Sequence, residues 1–121
     1  MNPVSWFEIP VTDFDRAKNF YESILDVSLS VNDIGRSKMG WFPMDQGAPG
    51  SPGAIIMHEA YIPSYEGTMV YLSVNDIEAT LEKISENKGK VIMGKQSIGE
   101  FGFVAHFEDC EGNRVALHSV Q

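Results

Sequence analysis

Two carboxylates, a phenol and an imidazole are the side chains of this sequence best suited to chemistry: Glu8, Glu59, Tyr71 and His118. Burial raises carboxyl pKa values and an imidazole titrates near neutrality, so such a set could act as general acid and base. The same groups could instead bind a divalent metal ion. In a third interpretation Glu8 and His118 only satisfy each other as a buried hydrogen-bonded pair.

Each of these four residues follows, by two positions, an apolar residue of the same predicted strand. Side chains two apart on a strand share a face, which predicts one cleft lined by ligand-binding residues: Trp6, Met57, Met69, Tyr71 and Ala116. Indole and thioether groups suit a flat, apolar ligand. This lining has no Lys or Arg, and Glu8 and Glu59 add negative charge, so we expect a neutral or basic aromatic ligand.

The remaining candidates are weaker. His58 and His106 have the opposite parity to the cleft set, which predicts packed or surface residues. Cys110 lies among carboxylates that disfavour the thiolate, so it is a poor nucleophile. Trp41 could extend the apolar lining, although core packing is the usual role of an aromatic residue in a strand.

The first half of the chain combines strand and helix patterns. Thr12 and Asp15 resemble a capping box, and apolar residues at helical spacing follow it. A loop rich in Gly and Pro spans 46–53. The predicted elements are a strand at 4–10, a helix at 13–25, and strands at 28–32, 37–44 and 54–59.

The second half repeats this order. A helix that begins near Ile77 and ends at Gly89, taken as its left-handed cap, follows a strand at 69–74. Strands follow at 90–94, 102–108 and 114–120, the last two joined by turn residues. The repeat predicts one α+β domain, residues 1–121, built from two modules, about 1–60 and 68–121, whose sheets face a shared cleft.

Three segments carry a resemblance to a known family: FEIPVTDFDRAKNFYESIL, VYLSVNDIEATLEKI and FGFVAHFEDCEGNRVALHS. They resemble the two βαβββ modules of the vicinal oxygen chelate superfamily, which includes glyoxalase I, bleomycin-resistance proteins and extradiol dioxygenases. The D-x-E-G-N-R turn is the most specific piece. The resemblance implies a cleft between curved sheets, but this superfamily spans lyases, isomerases, oxygenases and binding proteins.

The resemblance also implies positions for a metal, which the family binds through His or Glu of the first and last strand of each module. Matching the motifs places these positions at Trp6, Met57, Met69 and Ala116. None of these side chains is a ligand for a hard or borderline divalent ion. We therefore expect no metal cofactor; the alternative is a divalent metal at a displaced site formed by Glu8, Glu59 and His118.

Two functions follow as expectations. The first is a metal-free protein that binds a small organic molecule, and the second is a metal-dependent lyase or dioxygenase that uses the displaced site. Whether the chain is an enzyme stays open. Small members of the family usually pair, and open sheet edges favour association, so we expect a homodimer.

Charge and cysteine content limit the partners. A net charge of -8 and a pI near 4.7 disfavour nucleic acids and anionic membranes. No apolar run approaches the roughly 20 residues that cross a bilayer. A single cysteine makes no internal disulfide and the N-terminus has no signal-peptide pattern, so a cytoplasmic location is expected.

Overall fold

The computed structural model describes residues 2–121, which form two copies of a strand, helix, three-strand unit. This confirms the predicted order of elements. In the first module these are β1 Phe7–Pro10, α1 Phe14–Leu25, β2 Ser30–Ile34, β3 Ser37–Trp41 and β4 Gly53–Met57. In the second they are β5 Tyr71–Ser73, α2 Ile77–Glu86, β6 Lys90–Ser97, β7 Phe103–Glu108 and β8 Arg114–Ser119, with a short 3-10 turn at Gly99–Phe101.

The strands form two four-stranded sheets of the same topology. Sheet 1 has the order β1-β4-β3-β2 and sheet 2 the order β5-β8-β7-β6. The first and last strands of each module are parallel, and the other neighbours are antiparallel. The register also repeats, because Glu8 pairs with Ala54 and Tyr71 pairs with Ala116. The predicted α+β fold of two βαβββ modules is confirmed.

Carboxylates begin both helices. The side chain of Asp13 accepts a hydrogen bond from Arg16 N at 3.1 Å, and Asp76 accepts one from Ala79 N at 3.1 Å. Asp13 is thus the N-cap of α1, one residue after the predicted Thr12. Neither helix in residues 2–121 is long and apolar enough to span a membrane.

The end of α2 differs from the prediction. The left-handed residue after this helix is Lys88, with φ 74°, and not Gly89. A Cβ atom at Gly89 would lie 2.6 Å from Ile84 Cγ2 and 2.9 Å from Phe20 Cε1. Glycine is needed there because the chain passes close to α1, and its conformational freedom is not the reason.

One hydrophobic core serves both sheets because α1 contacts both of them. The ring of Tyr21 meets Phe42 of the first module edge-on at 5.8 Å, and Phe20 lies 6.2 Å from Phe107 in β7. Buried residues of both modules, such as Ile9 and Leu72, join this core. Each sheet therefore has an inner face on the shared core and an open face turned away from it.

The turn between β7 and β8 joins the second module to the first. Tyr21 donates a hydrogen bond to the buried Asp109 carboxylate at 2.6 Å, and Asn113 Nδ2 donates one to Pro10 O at 2.7 Å. Glu111 accepts from Asp13 N and Arg16 Nε, both at 2.8 Å. The most specific motif of the sequence is thus a structural joint between the modules.

Candidate functional site

The open face of sheet 1 carries an apolar cluster, in which the partly exposed Trp6 and Trp41 cover the buried Met39, Ala54 and Ile56. Register places Met39 beside Ile56 and Trp41 beside Ala54, and Trp6 packs on them. The two indole rings meet edge-on, with centroids 5.6 Å apart and planes at 76°. We call these five residues the aromatic pad; flat aromatic molecules gain dispersion and edge-to-face contacts on such a surface.

The two indole N–H groups of the aromatic pad differ. Trp6 Nε1 donates to Glu8 Oε2 at 3.2 Å, whereas the buried Trp41 Nε1 has no acceptor among the described residues. A buried donor without a partner costs about 1–3 kcal/mol. An acceptor oxygen that reached this nitrogen would remove that cost, but because Nε1 is buried a neighbouring side chain must move to admit it.

The structure places two predicted site residues, Met57 and Glu59, away from the open face of sheet 1. Met57 packs against the shared core, on the inner face, opposite Lys38, whose Nζ lies 5.0 Å from the centre of the Phe14 ring. Glu59 follows the strand, is exposed, and lies 3.4 Å from Arg36 Nη1. Both predictions were wrong, because the loop before β4 differs from the turn before β8 and the sequence alone does not show how the two strands align.

The register of the repeat supplies the correct equivalents. Val11 N donates to Ile56 O in the first module, as Val74 N donates to His118 O in the second. Ile56 is therefore the counterpart of His118, and Ala54 that of Ala116.

The open face of sheet 2 is polar. Tyr71, which is 50% exposed, and the buried Ala116 lie on it, and Met69 lies two residues before the start of β5. His106 pairs with Ala116 in the hairpin and meets the Tyr71 ring at 5.9 Å, so the prediction that His106 lies off this face was wrong. Alternation within β7 shows which of its residues share a face, but not which of these faces is the one that carries Ala116 of β8. The hairpin register decides that.

Arg114 lies on the same open face, two residues before Ala116. It donates a hydrogen bond from Nη2 to His106 Nδ1 at 3.1 Å, so this nitrogen must be the unprotonated one. Burial, together with the positive charge of Arg114, lowers the pKa of His106. Arg114 Nε is buried without an acceptor among residues 2–121. The expectation of a lining without Arg or Lys is therefore wrong.

The predicted polar set does not converge. His118 Nε2 donates a hydrogen bond to Phe101 O at 2.7 Å, since a carbonyl oxygen can only accept. Glu8 accepts a hydrogen bond from Trp6 Nε1 instead. Glu8 and His118 are thus not a hydrogen-bonded pair, and Glu59 belongs to a surface ion pair. Within the part of the chain that is described, no three His, Cys, Asp or Glu side chains are placed to hold a metal ion.

The family's metal positions do not fit a divalent ion. With the corrected register these positions are Trp6, Ala54, Met69 and Ala116. They offer an indole, a thioether and two methyl groups, and none of these is a donor for hard or borderline ions. The corrected register replaces Met57 by Ala54 and adds no metal donor to this set.

A cavity of about 190 Å³ lies where β1 meets the start of β8 and the segment that connects the modules. Glu8 of sheet 1 and Arg114 of sheet 2 both line it, together with Glu66 of the connecting segment. A more open groove of about 490 Å³ runs along α2 and β6 and contains none of the predicted site residues. The smaller cavity is the place where a ligand could contact both modules.

Comparison with known proteins identifies the family of this chain. The family model described as Glyoxalase/Bleomycin resistance protein/Dioxygenase superfamily matches residues 4–117. A glyoxylase-like domain-containing protein of Didymella fabae is 32% identical over 94% of this chain and 91% of its own length.

Solved structures share the fold. The V278E variant of glyoxalase I from Zea mays has a TM-score of 0.74 at 18% identity over 98% of this chain. The chain spans only 46% of that protein. TnmS3, an antibiotic binding protein from Streptomyces sp. CB03234, has a TM-score of 0.67 at 21% identity over 98% of this chain and 96% of its own. With two βαβββ modules and a family match over nearly its whole length, the chain belongs to the Glyoxalase/Bleomycin resistance protein/Dioxygenase superfamily.

Proposed function

We propose that this chain is a small-molecule-binding member of the superfamily that works without the family's metal. The observation that carries the proposal is the aromatic pad with its unpaired Trp41 N–H group. The four metal positions give further support, because their side chains offer no suitable donors. TnmS3, which shares the fold, is an antibiotic binding protein.

The proposed ligand is a flat aromatic molecule with an acceptor oxygen. Its ring would lie on Trp6 and Trp41, and the oxygen would accept from Trp41 Nε1. Glu8 favours a neutral or basic group on this side of the site. The expected preference against acids assumed a lining without Arg, and Arg114 removes that assumption.

We also propose that the chain forms a homodimer. The open faces carry no helix of their own chain, since both helices pack on the inner side. Exposed apolar residues also lie on the edge strand β2, where Val31 and Ile34 are uncovered. A homodimer would cover such surfaces. We retain the cytoplasmic location as part of the proposal, because the free Cys110 suits a reducing compartment.

The alternative, a metal-dependent lyase or dioxygenase, has less support. It needs Glu8, Glu59 and His118 in one place, and these three side chains bond to Trp6, Arg36 and Phe101 O instead. Tyr71 and His118 do share the open face of sheet 2. We propose ligand contact, and not proton transfer, as their role.

A thermal-shift screen of aromatic compounds tests the proposal. Compounds that stabilise the wild type should lose most of their effect with Trp6→Ala, which removes half of the indole pair. Phe101→Ala is the matched control, since its exposed ring lies next to sheet 2. Equal effects on all three proteins would show that the aromatic pad is not the site.

Metal analysis tests the second part of the proposal. Protein purified without a chelator or a metal-affinity tag should contain far less than one equivalent of zinc, nickel, manganese or iron. Near-stoichiometric metal that is lost on Glu8→Gln or His118→Asn would contradict the metal-free proposal and support the displaced site.

A further inference from the structure

The guanidinium of Arg114 lacks the carboxylate partner that a half-buried cation normally has. Among residues 2–121, no Asp or Glu oxygen lies within 4 Å of it, and the acceptor that it does contact is the neutral ring of His106. The protein carries a net charge of -8, so carboxylates are plentiful. We infer that Arg114 binds the carboxylate of a ligand in the cavity that it shares with Glu8, and that the aromatic body of this ligand extends past Glu8 to Trp6 of the aromatic pad.

Comparison with the other arginines supports this assignment. Arg16 pairs with Glu111 and Arg36 with Glu59, and both of these pairs lie at the surface or at a structural joint. Arg114 has in addition a buried Nε without an acceptor. Burying a charge without a counter-ion is costly, and a carboxylate can take two N–H groups of a guanidinium at once.

His106 holds the guanidinium in place. Its Nδ1 accepts from Arg114 Nη2, and the edge-to-face contact with Tyr71 orients the ring. A protonated imidazole would present N–H donors and a like charge to Arg114. Burial and Arg114 lower the pKa of His106, which keeps this acceptor neutral near pH 7. His106 is therefore a positioning residue for Arg114.

Negative groups around Arg114 determine which anions can bind. Glu8 and Glu66 line the same cavity, and Glu108 lies opposite Arg114 in the hairpin register, next to Tyr65, without a salt bridge to it. These carboxylates repel every anion, so an anion binds only if contacts with the aromatic pad offset the repulsion, and small free anions make no such contacts. An aromatic acid gains both contacts, so the ligand class is an aromatic carboxylate. This inference rests on the proposed binding function.

The test is calorimetric titration with two probes of the same shape, 2-naphthoate and its neutral analogue 2-naphthamide. Wild-type protein should bind the acid at least about tenfold more tightly, as expected for a charge-assisted contact. Arg114→Gln should abolish this ratio by weakening the binding of 2-naphthoate. Arg36→Gln, which changes the net charge equally at the surface, should keep the ratio.

Further variants keep the test decisive. Arg114→Lys keeps the charge but loses the planar fork, and should reduce the ratio only in part; it serves if Arg114→Gln does not fold. Acetate and inorganic phosphate alone should bind far more weakly than 2-naphthoate. A ratio near one in the wild type, or a ratio that survives Arg114→Gln, would overturn the inference.

Two outcomes separate this inference from the proposed function. If 2-naphthamide binds and the acid has no advantage, the inference fails and the proposed function stands. If neither probe binds, both fail. If the acid has no advantage and Arg114→Gln turns a dimer into a monomer in sedimentation, the carboxylate comes from a second copy, which also overturns the inference.

Discussion

Trp41 and Arg114 each bury an N–H group that has no acceptor among residues 2–121, and both residues lie on open faces. The sequence indicated Trp41 only as an extension of the apolar lining and assigned no role to Arg114, because an orphaned donor is defined by its neighbours. Alternation along single strands did place Trp6, Tyr71, Ala116 and His118 on open faces. It failed for Met57 and for His106, where the parity depends on register with another strand.

Replacement of Trp41 by Phe should separate stability from binding. Trp41→Phe removes an unsatisfied buried donor, so the free energy of unfolding should stay the same or rise by up to about 1 kcal/mol. Affinity for aromatic ligands with an acceptor oxygen should fall several-fold. Chemical denaturation and titration with 2-naphthamide measure the two effects.

Trp6→Phe is the matched control, because Trp6 Nε1 already has Glu8 as its acceptor. That variant should be slightly less stable than the wild type. A loss of more than about 2 kcal/mol in Trp41→Phe would show that its N–H group is satisfied in solution.

The sequence predicted the order of the secondary-structure elements correctly, but it predicted the residues at which the strands end less accurately. The repeat of strand, helix and three strands follows from hydrophobic periodicity and capping residues. β3 ends at Trp41, before the expected end at residue 44, and β6 continues to Ser97, beyond the expected residue 94. Strand ends depend on the partner strand, and β6 keeps pairing with β7 through irregular register shifts.

The contact of the α1 N-terminus with the turn between β7 and β8 should make stability depend on pH. Burial acts to raise the pKa of Glu111, but hydrogen bonds from the Asp13 and Thr12 backbone and from Arg16 outweigh it and lower the pKa from 4.5. A carboxyl with a lowered folded-state pKa stabilises above its unfolded pKa. This contribution is lost as the pH falls below about 4.5 and through the folded-state value.

Glu111→Gln should therefore reduce the free energy of unfolding by about 1–3 kcal/mol at pH 7, and by much less near pH 3. Urea denaturation across this pH range measures the difference. The control is Glu86→Gln on the exposed side of α2. A loss that is the same at both pH values would contradict the role assigned to the Glu111 carboxylate.

At the scale of the whole molecule, the sequence indicated two modules that share a cleft, but not the contacts that hold the modules together. The contacts of α1 with both sheets join Phe20 to Phe107 and Tyr21 to Asp109, residues more than 80 positions apart. No local pattern encodes such pairs. The result is a cavity at the junction of the modules, lined by Glu8 of the first and Arg114 of the second.

Association of two chains is expected from these uncovered faces. Sedimentation at micromolar concentration should show a species of about twice the 13.4 kDa chain mass. The exposed apolar residues of β2 offer a specific check, because Val31→Lys with Ile34→Lys should weaken association if that edge takes part. A 13.4 kDa species alone in the wild type would contradict the dimer.

The central claim is that the aromatic pad binds a flat ligand, and NMR of the two indole N–H groups tests it most directly. The chain has 2 tryptophans, Trp6 and Trp41, so Trp6→Phe assigns both indole signals. Titration with 2-naphthamide should shift both signals saturably, and Trp41 Nε1–H should move downfield as it gains an acceptor. Indole signals that stay in place while the compound binds elsewhere, or while nothing binds, would contradict the claim.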